Sequence, residues 1–111
     1  MKRVTLFLTL WIIASADVTL AKRYSSAELA VMFISREKPS YPVELRRRRI
    51  TGSGMFRLYI DEQGRVTKIG ILKSTGNKEL DASAMRAMIH WRARPGSKRE
   101  VDQPCTFWFG H

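Results

Sequence analysis

The sequence has few of the residues that build disulfides, metal centres or catalytic sites. Among its 111 residues, Cys105 is the only cysteine, and His90 and His111 are the only histidines. One cysteine cannot form an intramolecular disulfide, and these three residues lack the spacing of a metal-binding set. A glycine-rich phosphate loop, paired catalytic carboxylates and a nucleophile elbow are all missing. We therefore predict that the protein is not an enzyme and has no metal or other cofactor.

The N-terminal segment has the pattern of an export signal. A short basic start precedes an apolar run over residues 4–13, and a small-residue cleavage site ends at Ala16. The alternative is an uncleaved membrane anchor, because residues 4–21 are just long enough to cross a bilayer, although Asp17 lies within them. We predict that residues 1–21 are a signal peptide or a short N-terminal anchor. In either case the rest of the chain is exported.

Acidic residues are half as numerous as basic ones. Ten Asp and Glu stand against 20 Lys and Arg, which gives a formal net charge of +10. Such a surplus can attract nucleic acid, anionic lipid or an acidic cell-wall polymer. Export argues against nucleic acid as the partner. Four consecutive arginines, residues 46–49, have the composition of a binding patch, but they are interpreted as a solvated helix end, because neighbouring helix positions do not share a face.

Residues 22–37 predict a short helix that leads into the domain. Ser25 and Glu28 have the spacing of a capping box, and the apolar residues that follow predict a helix over residues 26–35. The proline-containing stretch 38–42 then keeps the chain extended.

A second helix is predicted to begin at Pro42. Glu44 falls in its first turn and the arginine run near its end, an order that complements the helix dipole. Gly52 and Gly54 are expected to end it. Tyr41 and Pro42 are expected to fix the entry into this helix, with contact to a ligand as the alternative.

Residues 55–73 have the pattern of a β-hairpin. In the first strand, residues 55–60, the apolar side chains of Phe56, Leu58 and Ile60 face one way and the residues between them face the other. Residues 61–64 predict a turn that ends in Gly64, and residues 66–73 predict the second strand.

From residue 78 to 94 the pattern is helical, with one apolar face. That face consists of Leu80, Ala84, Ala87, Met88 and Trp91.

A final strand is predicted over residues 105–109. Pro104 introduces it, which favours an edge position in the sheet. Cys105 should face the core as an inert thiol, whereas Trp108 should lie on the opposite side of the strand, towards a partner or beneath a loop or the first helix. The predicted fold class is α+β, a three-stranded antiparallel sheet packed on helices in the order α-β-β-α-β.

The predicted domain, residues 38–111, resembles the TonB C-terminal domain family over about residues 38–109. The motifs that carry the resemblance have the family's order and element types. They are Pro39 to Pro42, Gly52 and Gly54, Asp61 to Val66, Ser74 to Gly76, Leu80-Asp81, Trp91 to Pro95, and Thr106 to Phe109.

The resemblance implies a periplasmic, non-catalytic module that takes part in TonB-dependent transmembrane transport. Members of the family capture the TonB box, a short peptide of an outer-membrane transporter, alongside the last strand by β-augmentation. The implied partner-binding residues are Cys105, Thr106, Phe107, Trp108, Phe109, Tyr41 and Pro42. Because the N-terminal segment lacks the Ser-His pair of the motor-docking helix, engagement of the inner-membrane motor complex stays open.

A second hypothesis treats the chain as a basic cell-envelope protein that binds peptidoglycan or another anionic polymer. The salt dependence of binding distinguishes the two hypotheses. Charge-driven binding of a polymer weakens steeply as ionic strength rises, whereas capture of a peptide by strand pairing does not.

Overall fold

The computed structural model describes residues 24–109, so the predicted signal peptide or anchor lies outside the described residues. The predicted class, α+β with a three-stranded antiparallel sheet packed on helices, is confirmed. In chain order the elements are α1 (Ser26–Met32), β1 (Phe33–Ser35), α2 (Val43–Arg47), β2 (Gly52–Ile60), β3 (Val66–Lys73), α3 (Lys78–Met88), β4 (Arg92–Ala93) and β5 (Arg99–Phe107).

The three-stranded sheet has β2 at its centre, with β3 and β5 on either side. The β2–β5 ladder runs without interruption from the pair Gly52–Phe107 to the pair Ile60–Arg99. The β2–β3 ladder, by contrast, shifts register at two places. β5 is therefore a regularly paired edge strand, and β3 is an irregularly paired one.

The core lies between the sheet and α3. Phe56 and Leu58 of β2 are fully buried on the face that meets the helices, as the strand alternation predicts. The apolar face predicted for the long helix is confirmed, because all five of its members are buried. They are Leu80, Ala84, Ala87, Met88 and Trp91.

The predicted end of the long helix, at residue 94, is wrong. α3 ends at Met88, and the chain turns there through a hydrogen bond from the Trp91 amide to the Met88 carbonyl. Ala93 then pairs with Phe33 in a small second sheet of β1 and β4, and its amide donates to the Gly64 carbonyl. These tertiary hydrogen bonds replace the ones that a continued helix would have made.

Helix α1 begins as predicted and ends earlier than predicted. The capping box is present: the Glu28 amide donates to the Ser25 hydroxyl, and the Ser25 amide donates to the Glu28 carboxylate. The helix stops at Met32 because the next residues, Phe33–Ser35, become β1 and pair with β4. Leu29 and Phe33 contribute to the core, so this part of the chain packs on the domain.

The two glycines do not end α2, contrary to the prediction. Arg49 ends it, in the left-handed region with φ of 58°. The Arg49 amide donates to the Arg46 carbonyl, and the Ile50 amide donates to the Leu45 carbonyl. This is the hydrogen-bond pattern of a Schellman motif, in which the left-handed residue is usually glycine.

Candidate functional site

Gly52 and Gly54 let a loop lie directly against the start of β2. A Cβ atom on Gly52 would stand 2.3 Å from the Thr75 carbonyl oxygen, and one on Gly54 would stand 2.7 Å from the Lys73 carbonyl oxygen. Larger residues would push the loop away. The same part of β2 pairs with Cys105 and Phe107 of β5. The loop therefore supports the end of β5 through β2.

Asp81, at the start of α3, fixes that loop. Its carboxylate accepts hydrogen bonds from the Thr75 amide at 2.8 Å, the Thr75 hydroxyl at 2.6 Å and the Ser74 hydroxyl. Burial alone would raise the pKa of Asp81, but the bonds from Ser74 and Thr75 outweigh it and hold the pKa below its ordinary value. The charged carboxylate is therefore the form that stabilises the fold.

Replacement of Asp81 by asparagine should lower the free energy of unfolding by about 1–3 kcal/mol at neutral pH, since it removes the charge that strengthens the bonds from Thr75 and replaces the oxygen that accepts from Ser74 with an NH2 donor. Because the folded-state pKa is lowered, this contribution is present above the unfolded pKa of about 3.9 and is lost as pH falls through the folded pKa. Denaturant titrations of both proteins between pH 7 and pH 2 measure it. A stability difference that stays constant down to pH 2 would show that the charge of Asp81 is not involved.

β5 starts at Arg99 rather than at residue 105, and it ends at Phe107 rather than at residue 109. Pro104 lies inside it, opposite Met55, instead of introducing it. A proline is tolerated within a paired strand only where its nitrogen points away from the ladder, on an edge strand. The Pro104 carbonyl also accepts from the Gln103 side chain at 2.9 Å, which indicates that this carbonyl points out of the ladder too. The predicted edge position is confirmed.

The position of Pro104 sets the direction of the backbone groups around it. In an antiparallel pair, residues alternate between those that bond to the partner strand and those whose N–H and C=O groups point away from it. Since the β2–β5 register is unbroken, Thr106 shares the orientation of Pro104, and Cys105 and Phe107 have the opposite one. We infer that the Thr106 N–H and C=O point to the outer side of β5, where no other strand pairs among residues 24–109.

Aromatic side chains cluster where β5 ends. The Tyr41 ring meets Phe107 edge-on at 5.5 Å between centroids, and its hydroxyl donates to the Ile50 carbonyl. Trp108 and Phe109 stack at 5.2 Å, and the Arg49 guanidinium lies 5.3 Å from the Phe109 ring centre. Trp108 is 56% exposed, in agreement with its predicted outward direction. Such a large exposed apolar ring is typical of a contact surface.

A groove of about 690 Å³ runs along this end of β5. Six of the seven predicted site residues line it: Tyr41, Cys105, Thr106, Phe107, Trp108 and Phe109. Pro42, the seventh, caps the start of α2 instead. Lys38, Pro39 and Arg46 also line the groove and were not among the predicted residues. The groove wall therefore contains two cations and no acidic residue.

The segment before α2 is fixed against α3, which shapes the wall of the groove. The buried hydroxyl of Ser83 donates to the Ser40 carbonyl, so the chain on either side of Ser40 cannot shift freely. Neighbouring Tyr41 is anchored at both its ring and its hydroxyl. These contacts tie this side of the groove to the core, and order that is present before binding lowers the entropic cost of taking up a ligand.

Cys105 does not offer reactive chemistry. It lies on the inner face of β5 and packs against the core, and burial raises the pKa of its thiol. A raised pKa keeps the sulfur protonated and weakly nucleophilic. Among residues 24–109, no group of three or more His, Cys, Asp or Glu is placed to hold a metal ion, and no helix is long and apolar enough to cross a membrane.

Comparison with known proteins identifies the domain. The family described as Gram-negative bacterial TonB protein C-terminal matches residues 37–109. The chain belongs to this family. Protein TonB of Vibrio cholerae serotype O1 is 38% identical over 58 residues, which cover 52% of this chain and 24% of that protein. The match therefore spans about a quarter of the length of this curated relative.

The fold also agrees with a solved TonB structure. The solution NMR structure of the Pseudomonas aeruginosa TonB C-terminal domain matches with a TM-score of 0.65 and 24% sequence identity. The match covers 71% of this chain and 86% of that one. At this level of identity the likeness concerns the fold.

The turn motif of the TonB C-terminal family has a clear structural role here. The Asp61 carboxylate accepts from the amides of Gln63 and Arg65 and from the Arg65 guanidinium. The bond from the Arg65 amide is the largest of the effects that lower the pKa of Asp61. Gly64 has φ of 87°, and a Cβ there would lie 1.9 Å from the Ala93 carbonyl oxygen. Both features fix the hairpin at the end of the sheet opposite the groove.

Proposed function

We propose that the chain captures an extended peptide, the TonB box of an outer-membrane transporter, as a fourth strand along β5. The observation that carries this proposal is the edge of β5 that no strand pairs with among residues 24–109, where the unbroken register with β2 implies that the Thr106 N–H and C=O point outward next to the exposed ring of Trp108. Membership of the TonB C-terminal family supports a role in TonB-dependent transport. In this function the protein acts in the periplasm after export and performs no catalysis.

Two sources of binding energy are available at this edge. Backbone hydrogen bonds to the outward groups of β5 supply affinity for any extended chain, and side-chain contacts supply selectivity. Trp108 and Phe109 offer apolar surface at the end of the strand, and Lys38 and Arg46 add positive charge on the groove wall. A peptide that pairs with β5 and carries apolar side chains at alternate positions matches this arrangement.

The other edge strand, β3, is a poorer template. Its pairing with β2 shifts register between Met55 and Phe56 and again between Tyr59 and Ile60. Such irregularities twist an edge and interrupt the row of outward groups that a new strand needs. β3 does expose Ile71 and Leu72, at 46% and 47%, but neither residue lines the aromatic groove at the end of β5. β5 is therefore the preferred site.

The proposal is tested by titrating the purified protein with TonB-box peptides from transporters of the same organism. A scrambled peptide of the same composition is the control, since it preserves charge and hydropathy and changes the alternation. Saturable binding of the native peptides that persists at moderate salt is the expected result. Binding that is equal for the scrambled peptides, or that disappears with salt while peptidoglycan is still retained at low salt, would favour the anionic-polymer hypothesis.

Truncation of Trp108 to alanine should weaken binding of a TonB-box peptide by about 1–3 kcal/mol, since the exposed ring serves as an anchor. Leu72→Ala, which removes an exposed apolar side chain from the opposite edge, is the matched control and should leave affinity unchanged. Calorimetric titration of both variants measures the effect. Equal affinities for wild type and Trp108→Ala, or a larger loss in Leu72→Ala, would place the peptide elsewhere.

A further inference from the structure

The outer edge of β5 is interrupted near its middle. In the inferred register the backbone groups of alternate residues point away from β2, and these residues are Glu100, Asp102, Pro104 and Thr106. Pro104 has no N–H, so the row of outward donors lacks a member there. The Pro104 carbonyl accepts from Nε2 of the Gln103 side chain at 2.9 Å. Residue 104 therefore offers an added strand no donor, and its acceptor is already bonded within the chain.

The Gln103 side chain lies against the strand rather than extending into solvent. Its oxygen, Oε1, is buried and accepts no hydrogen bond from any of residues 24–109. The bond from Nε2 to the Pro104 carbonyl is the hydrogen bond that this amide makes across the edge. We call Gln103 and Pro104 together the edge stop.

The two parts of β5 on either side of the edge stop differ in their surroundings. Towards the start of the strand, Arg57 binds the Asp102 carboxylate at 2.8 and 3.1 Å and lies 3.9 Å from the Glu100 carboxylate. Charged side chains on an edge strand disfavour the addition of a further strand. Towards the end lie the exposed ring of Trp108 and the groove, which follows residues 105–109. At roughly 3.4 Å per residue this part matches an extended peptide of five residues.

We propose that the edge stop confines strand pairing to the part of β5 from Thr106 onward, so that the captured segment is about five residues long. This inference rests on the proposed function and adds to it the length and the register of the peptide. Beyond the stop, Thr106 is the outward position within β5 that offers both an N–H and a C=O group. Pairing there supplies few hydrogen bonds, so contacts between the peptide side chains and the groove supply the rest of the affinity.

The edge stop also selects the register of the peptide. A shift of the peptide towards the start of β5 would place one of its carbonyl groups opposite Pro104, where no N–H is present to bond it. A carbonyl that loses its hydrogen bonds to water without gaining another makes that register unfavourable. The groove and the edge stop therefore favour the same position of the peptide.

Amide exchange of the full chain, detected residue by residue by NMR, measures how far the pairing extends. The probes are a five-residue TonB-box peptide and the same peptide lengthened at both ends by Thr-Val repeats, so the direction of binding does not matter. With either peptide at saturation, we expect the Thr106 amide to exchange about tenfold more slowly or less. The amides of Glu100 and Asp102 should keep their rates within about twofold. Protection of Asp102 equal to that of Thr106 in the complex with the longer peptide would overturn the proposal.

The double substitution of Gln103→Ala with Pro104→Thr removes the edge stop. It releases the carbonyl of residue 104 and adds an N–H beside it. Relative to the same ratio in wild type, the longer peptide should therefore gain about fivefold or more in affinity over the short one. The longer peptide should also protect the new amide at residue 104. The β2–β5 ladder should persist, because the nitrogen of residue 104 points away from β2 and Gln103 Oε1 has no bond to lose.

A matched control and the pattern of results separate the edge stop from peptide capture itself. Gln63→Ala removes the same kind of side chain from the exposed hairpin turn and should behave as wild type. If wild type bound neither peptide, the proposed function would fail and the edge stop with it. If both peptides protected Thr106 but the folded double variant gained no affinity for the longer one, capture along β5 would stand and the edge stop would be wrong.

Discussion

Replacement of Trp91 by alanine should lower the free energy of unfolding by about 3–5 kcal/mol. The ring is 5% exposed and meets Phe33 edge-on at 5.1 Å between centroids. Its Nε1 donates to the Glu37 carbonyl at 2.8 Å. One side chain thus joins the end of α3 to β1 and to the segment that leads into the domain. For a domain of this size the loss is a large share of the total stability.

Denaturant-induced unfolding followed by circular dichroism measures this effect. Trp108→Ala is the matched control, because it removes the same side chain from a position that is 56% exposed, and its stability should change little. Trp91→Phe keeps an aromatic ring in the core but loses part of the indole and the hydrogen bond to Glu37, so an intermediate loss of about 1–3 kcal/mol is expected. If Trp91→Ala were as stable as Trp108→Ala, the ring would not contribute to the core.

Introduction of proline at Thr106 should weaken peptide binding about tenfold or more while the domain remains folded. The inferred outward direction of the Thr106 N–H makes it a donor to an added strand rather than to β2. Pro104, two residues earlier, shows that the strand accommodates proline in this orientation. The substitution therefore removes a hydrogen bond from the complex and none from the ladder of the free protein.

Two controls separate this effect from its alternatives. Thr106→Val keeps the N–H and removes the hydroxyl that lies 3.0 Å from the Ser53 hydroxyl, so peptide affinity should be close to that of wild type. Cys105→Pro removes an N–H that points towards β2, so it should destabilise the fold itself. If Thr106→Pro unfolded the domain and Cys105→Pro did not, the assigned backbone directions would be reversed. If folded Thr106→Pro bound as tightly as wild type, capture along β5 would be ruled out.

The elements with a repeating pattern could be predicted from the sequence. Four apolar residues of α3 and Trp91 just beyond its end recur at helical spacing, and the residues of β2 alternate, so periodicity alone identified the faces that the structure buries. Gly64 and Ser25 marked a turn and a helix start through local chemistry that needs no tertiary contact. Pro104 indicated the edge of the sheet, although not the start of the strand.

The remaining errors arise where long-range contacts decide the local structure. β1 and β4 have three and two residues, too few for a period, and they exist because Phe33 and Ala93 pair across the chain. Arg49 adopts a conformation in which the sequence would favour glycine. Lys38 and Arg46 line the same groove as Phe107 only because the fold brings them together. No local sequence motif predicts that arrangement.

The pairing of a peptide with β5 is measured most directly by amide exchange of the protein with and without a TonB-box peptide. Residue-specific NMR detection distinguishes the outward amide of Thr106 from those of Cys105 and Phe107, which already bond to β2 in the inferred register. We predict that the saturating peptide slows exchange at Thr106 many-fold and leaves the amides of β3 unchanged. Unchanged exchange at Thr106 in the saturated complex, or slowing confined to β3, would contradict strand capture at this edge.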